Sequence, residues 1–223
     1  MEGILPLPKV VRRALIELSM ESHPHTDDQQ PEQVIQRALG KTENKHRLAR
    51  IYLGRSAPRT TPPAPTDEKF SIRNTPLYLY TLKHLDLDIN NLANQMEKGF
   101  AIMHWGTGIN GDDVEFVPGT SLLRDTHSQP TRKLRQIEMF LLDFGQRRDI
   151  SSRMVQVENY NGEAVEDAVE EVYQDFQGAL VMGENRLLIP NLGQSPGLYG
   201  EFRRGYKFAA RCVLESRGIG WEG

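Results

Sequence analysis

Three aspartates border two apolar segments, and their carboxylates are suited to metal chemistry. Asp112 and Asp113 precede the short segment VEFV, and Asp143 lies near the end of EMFLLDF (138–144). If these segments pair as antiparallel strands, Asp113 at the start of one comes near Asp143 at the end of the other. Two carboxylates that close favour a cation between them, and Mg²⁺ takes one or two protein carboxylates together with phosphate oxygens. The pattern predicts a magnesium site at Asp113 and Asp143.

The same aspartates also suit a local structural role. Asp and Asn side chains hydrogen bond to nearby backbone in turns and at helix caps. A second interpretation is therefore that the three carboxylates are turn and cap residues of a noncatalytic domain. Convergence of all three in one cleft would favour the metal site, whereas three dispersed and separately bonded side chains would favour the local role.

The order of elements around the aspartates resembles that of kinase-like phosphotransferases. MHWGTGINGDDVEFV contains a helix end, an Asp-bearing loop and a strand, and FLLDFG follows later in the chain. In that family a loop Asp orients the acceptor hydroxyl, a following Asn binds metal, and the Asp of Asp-Phe-Gly holds Mg²⁺ against the nucleotide phosphates. The resemblance implies these roles for Asp112, Asp113 and Asp143 respectively, with Mg²⁺ and ATP as cofactors.

The resemblance is incomplete in the parts that would hold the nucleotide. The loop lacks the full His-Arg-Asp-x-x-x-x-Asn spacing, and the first 85 residues contain neither a G-x-G-x-x-G loop nor a V-A-I-K lysine. Arg50 in LARIYLG is an imperfect substitute for that lysine, because guanidinium and ammonium groups differ in shape and reach. The resemblance implies nucleotide contacts at Arg50, Phe144 and Gly145 on a degenerate kinase-like scaffold.

A second resemblance covers nearly the whole chain. The stretches ILPLPKVVRRALIE, LARIYLGR, FSIRNTPLYL and AIMHWGTGINGDDVEFVPG, and later LLDFGQ and GLYGEFRRGY, occur in this order. They resemble a fungal domain of unknown function whose members carry the label "zinc finger protein" in filamentous fungi. That family has no established activity, so the resemblance implies none.

Cysteine and charge counts exclude several classes of protein. Cys212 is the single cysteine, so the chain cannot build a Cys-rich zinc site, and no zinc is expected. His23 and His25 are expected in a solvated loop. With 27 Lys+Arg against 30 Asp+Glu and a net charge of -3, the chain lacks the basic excess of a general nucleic-acid binder.

No stretch of the sequence approaches the ~20 apolar residues that a membrane span needs. The amino-terminal MEGILPLPKVVRRAL lacks the sustained apolar core of a signal peptide. A lone cysteine fits a reducing compartment. We therefore expect an intracellular, soluble protein of the cytoplasm or nucleus, with no membrane partner.

Hydrophobic periodicity predicts one α+β domain over 1–223, since a chain of 223 residues can bury a sizeable core. A small strand-containing part occupies 1–84, and a larger, mainly helical part with a β-hairpin occupies 85–223. The proline-rich segment 55–69 offers few large apolar groups, and we expect it to be an exposed, mobile connector.

Within the small part, 8–20 is predicted to be an amphipathic helix, and 45–54 and 70–82 have strand-like composition. In the larger part, a helix capped by Asp88 or Asn90 is predicted to run to Gly106. Its apolar face comprises Leu92, Met96, Phe100 and Met103.

His104 falls in the last turn of that helix. A histidine there interacts favourably with the negative end of the helix and its orphan carbonyls, which we expect in preference to a ligand or catalytic role.

Two further helices are predicted at 162–182, with an acidic outer face, and at 197–218. The inward face predicted for 197–218 comprises Leu198, Phe202, Tyr206, Ala209, Cys212 and Val213. Its basic residues are Arg203, Arg204, Lys207 and Arg211, which suit either solvent exposure or contact with an anion or a protein. Cys212 is expected to be a small buried hydrophobe and not a nucleophile.

Two functions remain open from the sequence. The first is a noncatalytic or degenerate kinase-like scaffold that binds an unidentified protein partner. The alternative is a Mg-ATP-dependent phosphotransferase that acts on a hydroxyl of a small molecule or protein. Whether the protein is an enzyme is left undecided by these patterns.

Overall fold

The chain has an α+β fold in a computed structural model, and its described residues form helices and two small sheets. The structure describes residues 7–23, 30–45, 48–58, 63–73, 75–122, 135–144, 149, 163–181 and 185–218. These residues group into two compact units that interleave along the chain. The first draws on Met1–Ile51, Ala57–Leu87 and Phe116–Phe140, and the second on Tyr52–Ser56, Asp88–Glu115 and Leu141–Gly223. The single-domain assignment stays a prediction.

Two helices open the first unit, α1 (Lys9–Glu21) and α2 (Pro31–Gly40). Helix α1 was predicted, whereas α2 was not, because its start lies in the polar run QQPEQ. Pro31 occupies the first helical position, where its missing N–H costs nothing. Apolar side chains then recur at three- and four-residue spacing and are buried. The core cluster comprises Ile16, Met20, Val34, Ile35, Ala38, Leu39, Phe70 and Ile72.

A short 3-10 turn, Thr42–Asn44, follows α2 and places a fully buried asparagine. Asn44 Nδ2 donates to the carbonyl oxygen of Ala38 at 2.9 Å, and its Oδ1 accepts from the backbone N–H of Ile72 at 3.0 Å. Because a buried amide must find partners for its polar atoms, Asn44 fastens the end of α2 to the distant segment around Ile72.

Strands β1 (Ala49–Tyr52) and β2 (Thr75–Tyr78) form a two-stranded sheet. The predicted strand-like segment 70–82 is shorter than expected, because α3 (Leu79–His84) begins directly after β2. Leu79 and Leu82, at three-residue spacing, are both buried in α3.

The proline-rich segment is described at 55–58 and 63–69, where it forms turns and no helix or strand. Its far end is fastened, because Lys41 Nζ donates to the carbonyl oxygens of Asp67, Glu68 and Phe70 at 3.0 to 3.2 Å. Pro65 is buried. The mobility of 55–69 stays a prediction.

Helix α4 (Ile89–Ala101) begins the helical part of the second unit. Asp88 caps it, and its carboxylate accepts from the backbone N–H of Asn91 at 2.9 Å. The predicted apolar face is confirmed, since Leu92, Met96, Phe100 and Met103 are all buried.

The described residues of this unit also form three more helices: α5 (Glu163–Val181), α6 (Asn185–Leu188) and α7 (Pro196–Ser216). One core cluster joins α4, α5 and α7 and comprises Ala101, Trp105, Val172, Phe176, Ala210 and Leu214.

The predicted burial of Cys212 in α7 is wrong, because its side chain is exposed. The buried and half-buried positions of α7 run through Phe202, Tyr206, Ala210 and Leu214. At 100° per residue, Cys212 lies about 200° around the helix from both Ala210 and Leu214, on the solvent side.

Strands β3 (Glu115–Leu122) and β4 (Arg135–Leu142) pair in a second sheet, which confirms the predicted pairing. An isolated antiparallel bridge joins Ile109, which precedes β3, to Asp149, which follows β4. The two segments therefore run in opposite directions at this bridge. Among the described helices, none is both long and apolar enough to cross a membrane.

Candidate functional site

A π-helical turn, Ile102–Gly106, continues α4 and ends at the predicted Gly106. The wider turn redirects the backbone: Ile109 N–H donates to the carbonyl oxygen of Met103 at 3.0 Å, and Gly108 N–H donates to that of His104 at 3.0 Å. Thr107 Oγ1 donates to the Met103 carbonyl as well, at 2.7 Å. Such turns are frequent at functional sites, and this one carries His104 and Trp105, both buried.

His104 is fully buried, and both of its ring nitrogens are bonded. Nε2 lies 3.1 Å from the carbonyl oxygen of Asn110, and Nδ1 lies 2.8 Å from Tyr206 Oη. Because a carbonyl only accepts, Nε2 must carry the proton, and Nδ1 accepts from the Tyr206 hydroxyl. Tyr206 Oη in turn accepts from Trp105 Nε1 at 3.0 Å. A continuous series of hydrogen bonds therefore runs from Trp105 through Tyr206 and His104 to the Asn110 carbonyl.

Burial lowers the pKa of His104 to about 3, although the hydrogen bond to Asn110 acts in the opposite direction. The ring also stacks on Phe176, with centroids 4.3 Å apart and planes 7° apart. The predicted interaction with the negative end of the helix is wrong, since a neutral ring bonds to Asn110 beyond the helix. His104 holds the loop in place and has no access to solvent with which to exchange protons.

Gly111 lets this loop approach the histidine. Its φ is +69°, a left-handed conformation, and a Cβ here would lie 2.7 Å from Met103 Cε and 3.4 Å from His104 Nε2. Asn185 Nδ2 donates to the Gly111 carbonyl at 2.7 Å and to that of Ala179 at 3.1 Å. The loop is therefore fastened to α5 and α6 as well as to His104.

The predicted metal and catalytic aspartates lie next to strands β3 and β4 along the chain, with Asp112 and Asp113 in a turn. Asp112 and Asp113 follow Gly111, and Asp112 N–H donates to Asn110 Oδ1 at 3.2 Å. Asp143 directly follows β4, and both Asp113 and Asp143 have φ of +55°. Asp tolerates this conformation better than most residues, so the backbone conformation is itself a reason for Asp at positions 113 and 143.

Within the described residues, no group of three or more His, Cys, Asp or Glu side chains is arranged to hold a metal ion. A Mg²⁺ site built from Asp113 and Asp143 alone, with Asp112 as the catalytic residue, stays a prediction. So do the nucleotide contacts: Arg50 is half-buried in β1, Phe144 is half-buried after Asp143, and Gly145 lies outside the described residues.

The outer face of α7 carries an exposed aromatic side chain among cations. Phe208 is 70% exposed, and four exposed basic residues lie within five positions of it along the helix, about 40 to 140° to one side around the axis. These are Arg203, Arg204, Lys207 and Arg211. We call these five residues the α7 basic face. The cations were noted from the sequence, but Phe208 was missed; its spacing of four from Arg204 and three from Arg211 was the available signal.

Two of the cations are already paired on the helix surface. Arg211 Nε lies 2.6 Å from Glu215 Oε1, and this hydrogen bond raises the pKa of Arg211. Arg204 lies 3.8 Å from Glu201. Such exposed pairs contribute little to stability, and within the described residues no ion pair is found for Arg203 or Lys207.

Comparison of the chain with protein-family models, with curated proteins and with solved structures found no match. The kinase-like and fungal-family resemblances both stay predictions.

Proposed function

We propose that this chain is a noncatalytic interaction domain on a degenerate kinase-like scaffold, and that the α7 basic face binds an acidic protein segment with an apolar side chain. The observation that carries the proposal is Phe208, which is 70% exposed beside four cations that lie to one side of it around the helix. Aromatic residues and arginine are the side chains most enriched at binding hot spots. A Phe side chain that leaves most of its surface exposed supplies apolar area for a partner.

The structural roles of the residues that could perform chemistry support the noncatalytic part of this proposal. Both ring nitrogens of His104 have partners inside the protein, and its pKa is too low for proton transfer near neutral pH. Asp113 and Asp143 adopt left-handed backbone that gives a structural reason for their identity.

Charge selects the kind of partner. The basic face carries four cations against the neighbouring Glu201 and Glu215, in a chain whose net charge is -3. The cations attract an acidic segment and orient it, whereas burial of the Phe208 ring supplies affinity. Full burial of a Phe side chain contributes roughly 1.5 to 3 kcal/mol, which is about a tenfold to a hundredfold change in affinity.

A displayed library of random peptides, selected on the full immobilised chain, tests this function. We expect the enriched peptides to combine Asp or Glu with a large apolar residue. Phe208→Ala should weaken their binding at least about tenfold, and Lys207→Gln should weaken it by a smaller factor. Arg186→Gln on α6 is the matched control, because Arg186 is an exposed cation outside the basic face.

Peptides that bind Phe208→Ala and Lys207→Gln as tightly as the wild type would place the binding surface elsewhere and refute the assignment to α7. Enrichment of basic peptides would refute the charge argument.

A Mg-ATP-dependent phosphotransferase is the second candidate, and the β3–β4 pairing supports it. Asp113 lies two residues before β3, and Asp143 lies directly after β4. Two carboxylates fit Mg²⁺, which completes its coordination with water and phosphate oxygens. In this alternative Asp112 positions the acceptor hydroxyl, and Mg²⁺ would neutralise phosphate charge.

Thermal stability in Mg-ATP up to millimolar concentration tests this candidate. A ligand at 100 times its dissociation constant stabilises the folded state by about 2.7 kcal/mol. Asp143→Asn should remove this effect, since Asn tolerates the same backbone conformation but carries no charge. Asp86→Asn is a matched control, because Asp86 also has a positive φ of 51°. Absence of any shift in the folded wild type would exclude the nucleotide site.

A further inference from the structure

A pocket of about 390 Å³ in the first unit is lined mainly by cationic and polar side chains. Its lining residues are Lys9, Arg12, Gln36, Leu39, Gly40 and Lys45. The volume lies within the ~300 to 1,000 Å³ range of small-molecule sites. Three of the six lining residues carry a positive charge, and none is acidic.

The positive charge of the pocket is not balanced by ion pairs. Lys9 and Lys45 are exposed, and neither forms an ion pair within the described part of the chain. The positive charge of Lys9 acts on the carboxylate of Glu32, but that carboxylate is already paired with Arg13. Arg13 donates to its two oxygens at 3.0 and 2.6 Å, and these bonds lower the pKa of Glu32 to about 2.

Arg12 is held in place before any ligand arrives. Its Nε donates to the carbonyl oxygen of Leu7 at 3.2 Å, and its Nη1 donates to that of Asn44 at 2.8 Å. Asn44 is fully buried and itself bonded to the end of α2. Because a pre-oriented donor loses little conformational entropy on binding, the remaining Arg12 nitrogen, Nη2, is a prepared donor for an anion.

Helix dipoles do not select the sign of the ligand. Helix α1 begins at Lys9 and brings its positive end to the pocket, whereas α2 ends at Gly40 and brings its negative end. Each end is equivalent to roughly half a charge, so the two oppose one another. The three full charges of the side chains therefore dominate the field.

We propose that this pocket binds a phosphate-class anion, with Arg12 as the fixed donor and Lys9 and Lys45 as flexible cations that close around it. Planar guanidinium groups match phosphate oxygens, and lysine ammonium groups act as point charges beside them. The ligand is a phosphorylated small molecule or the headgroup of a phosphorylated lipid, which share this chemistry.

Calorimetric titration of the full chain with inorganic pyrophosphate at low salt tests the pocket. Lys9→Gln and Lys45→Gln should each weaken binding about tenfold, because each removes one of three charges around the anion. Lys69→Gln is the matched control: Lys69 is exposed in the same unit but does not line the pocket. Affinity should also fall as salt is added. Circular dichroism confirms that each variant folds.

A second arm distinguishes the two sources of phosphate. Vesicles of phosphatidylcholine with and without a phosphorylated phosphatidylinositol are sedimented with the wild type and the two pocket variants. Binding to the phosphorylated vesicles alone, lost in both variants, assigns a lipid headgroup; binding to pyrophosphate without vesicle binding assigns a soluble ligand. The proposal is overturned if neither probe binds the folded chain at millimolar phosphate, or if Lys69→Gln weakens binding as much as the pocket variants do.

Discussion

Lowering the pH from 7 to 5 should destabilise the protein through His104. The ring is fully buried and neutral, with a folded-state pKa of about 3 against an ordinary value of 6.5. Between these two values the unfolded chain binds a proton that the folded chain excludes. Stability therefore falls as the pH drops below 6.5, and the loss is complete only near pH 3.

The size of the effect follows from the lowered pKa. One pH unit in this window corresponds to about 1.4 kcal/mol, so the 1.5 units between 6.5 and 5 cost about 2 kcal/mol. For a chain of this size the loss corresponds to a melting temperature lower by about 4 to 8 °C. Most carboxylates titrate below pH 5 and contribute little over this range.

Urea unfolding at several pH values between 7 and 5 measures this loss directly. The comparison is His104→Gln, which retains an amide N–H for the Asn110 carbonyl but cannot take up a proton. Subtraction of the two pH profiles also removes the opposite contribution of Glu97, whose pKa is raised chiefly by burial. The variant should be less stable than the wild type at pH 7, yet its pH profile should be flatter by about 2 kcal/mol.

Proton NMR of the His104 ring gives a test that does not depend on the variant folding. The ring resonances should not titrate between pH 8 and 5. A His104 pKa above 6, or equal pH profiles for the wild type and His104→Gln, would refute the assignment of a neutral, excluded imidazole.

Three further substitutions and one control test the contacts and burial of the second unit. Tyr206→Phe removes the hydroxyl that donates to His104 Nδ1 and should lower the free energy of unfolding in urea by about 1 to 3 kcal/mol. An unchanged urea midpoint would contradict the hydrogen bond between Tyr206 and His104. Gly54→Ala should cost about 1 to 3 kcal/mol, because its Cβ would overlap the backbone carbonyl oxygens of Arg186, Leu187 and Ile189. Gly178→Ala is the control, since open space surrounds that Cβ and helix propensity predicts a gain of about 0.5 to 1 kcal/mol. Glu97→Gln should raise the melting temperature at pH 7, because burial raises the Glu97 pKa and makes the charged carboxylate unfavourable in the folded protein. The gain should disappear below pH 4.5, the ordinary pKa of Glu, where the carboxyl group is protonated in the folded and unfolded states alike. A gain that persists at pH 4 would contradict this cause.

Local signals in the sequence were sufficient for several elements. The apolar spacing of Leu92, Met96 and Phe100 predicted the buried face of α4, and Asp88 was one of its two predicted caps. These features depend on residues three or four positions apart, which an isolated segment already specifies. Helix α2 escaped prediction because polar residues surround its short apolar stripe.

The face of α7 was only partly predictable. Phe202, Tyr206, Ala209 and Val213 were placed inward, and these are buried or half-buried. Cys212 was placed with them because it is apolar, but the packing of Ala210 and Leu214 turns it to solvent. Hydrophobicity alone could not choose between these neighbouring positions, since both sides of the predicted stripe contain apolar residues.

The sequence by itself determined the α+β class, the pairing of the segments that became β3 and β4, and the apolar face of α4. Only the tertiary structure decided what the chemistry-bearing residues do. His104 meets Tyr206 across 102 positions of sequence, and Arg12 meets the carbonyl of Asn44 across 32. Helix and strand periodicities arise from neighbours along the chain, whereas a side chain's partner, its burial and therefore its charge depend on which distant segment the fold brings against it.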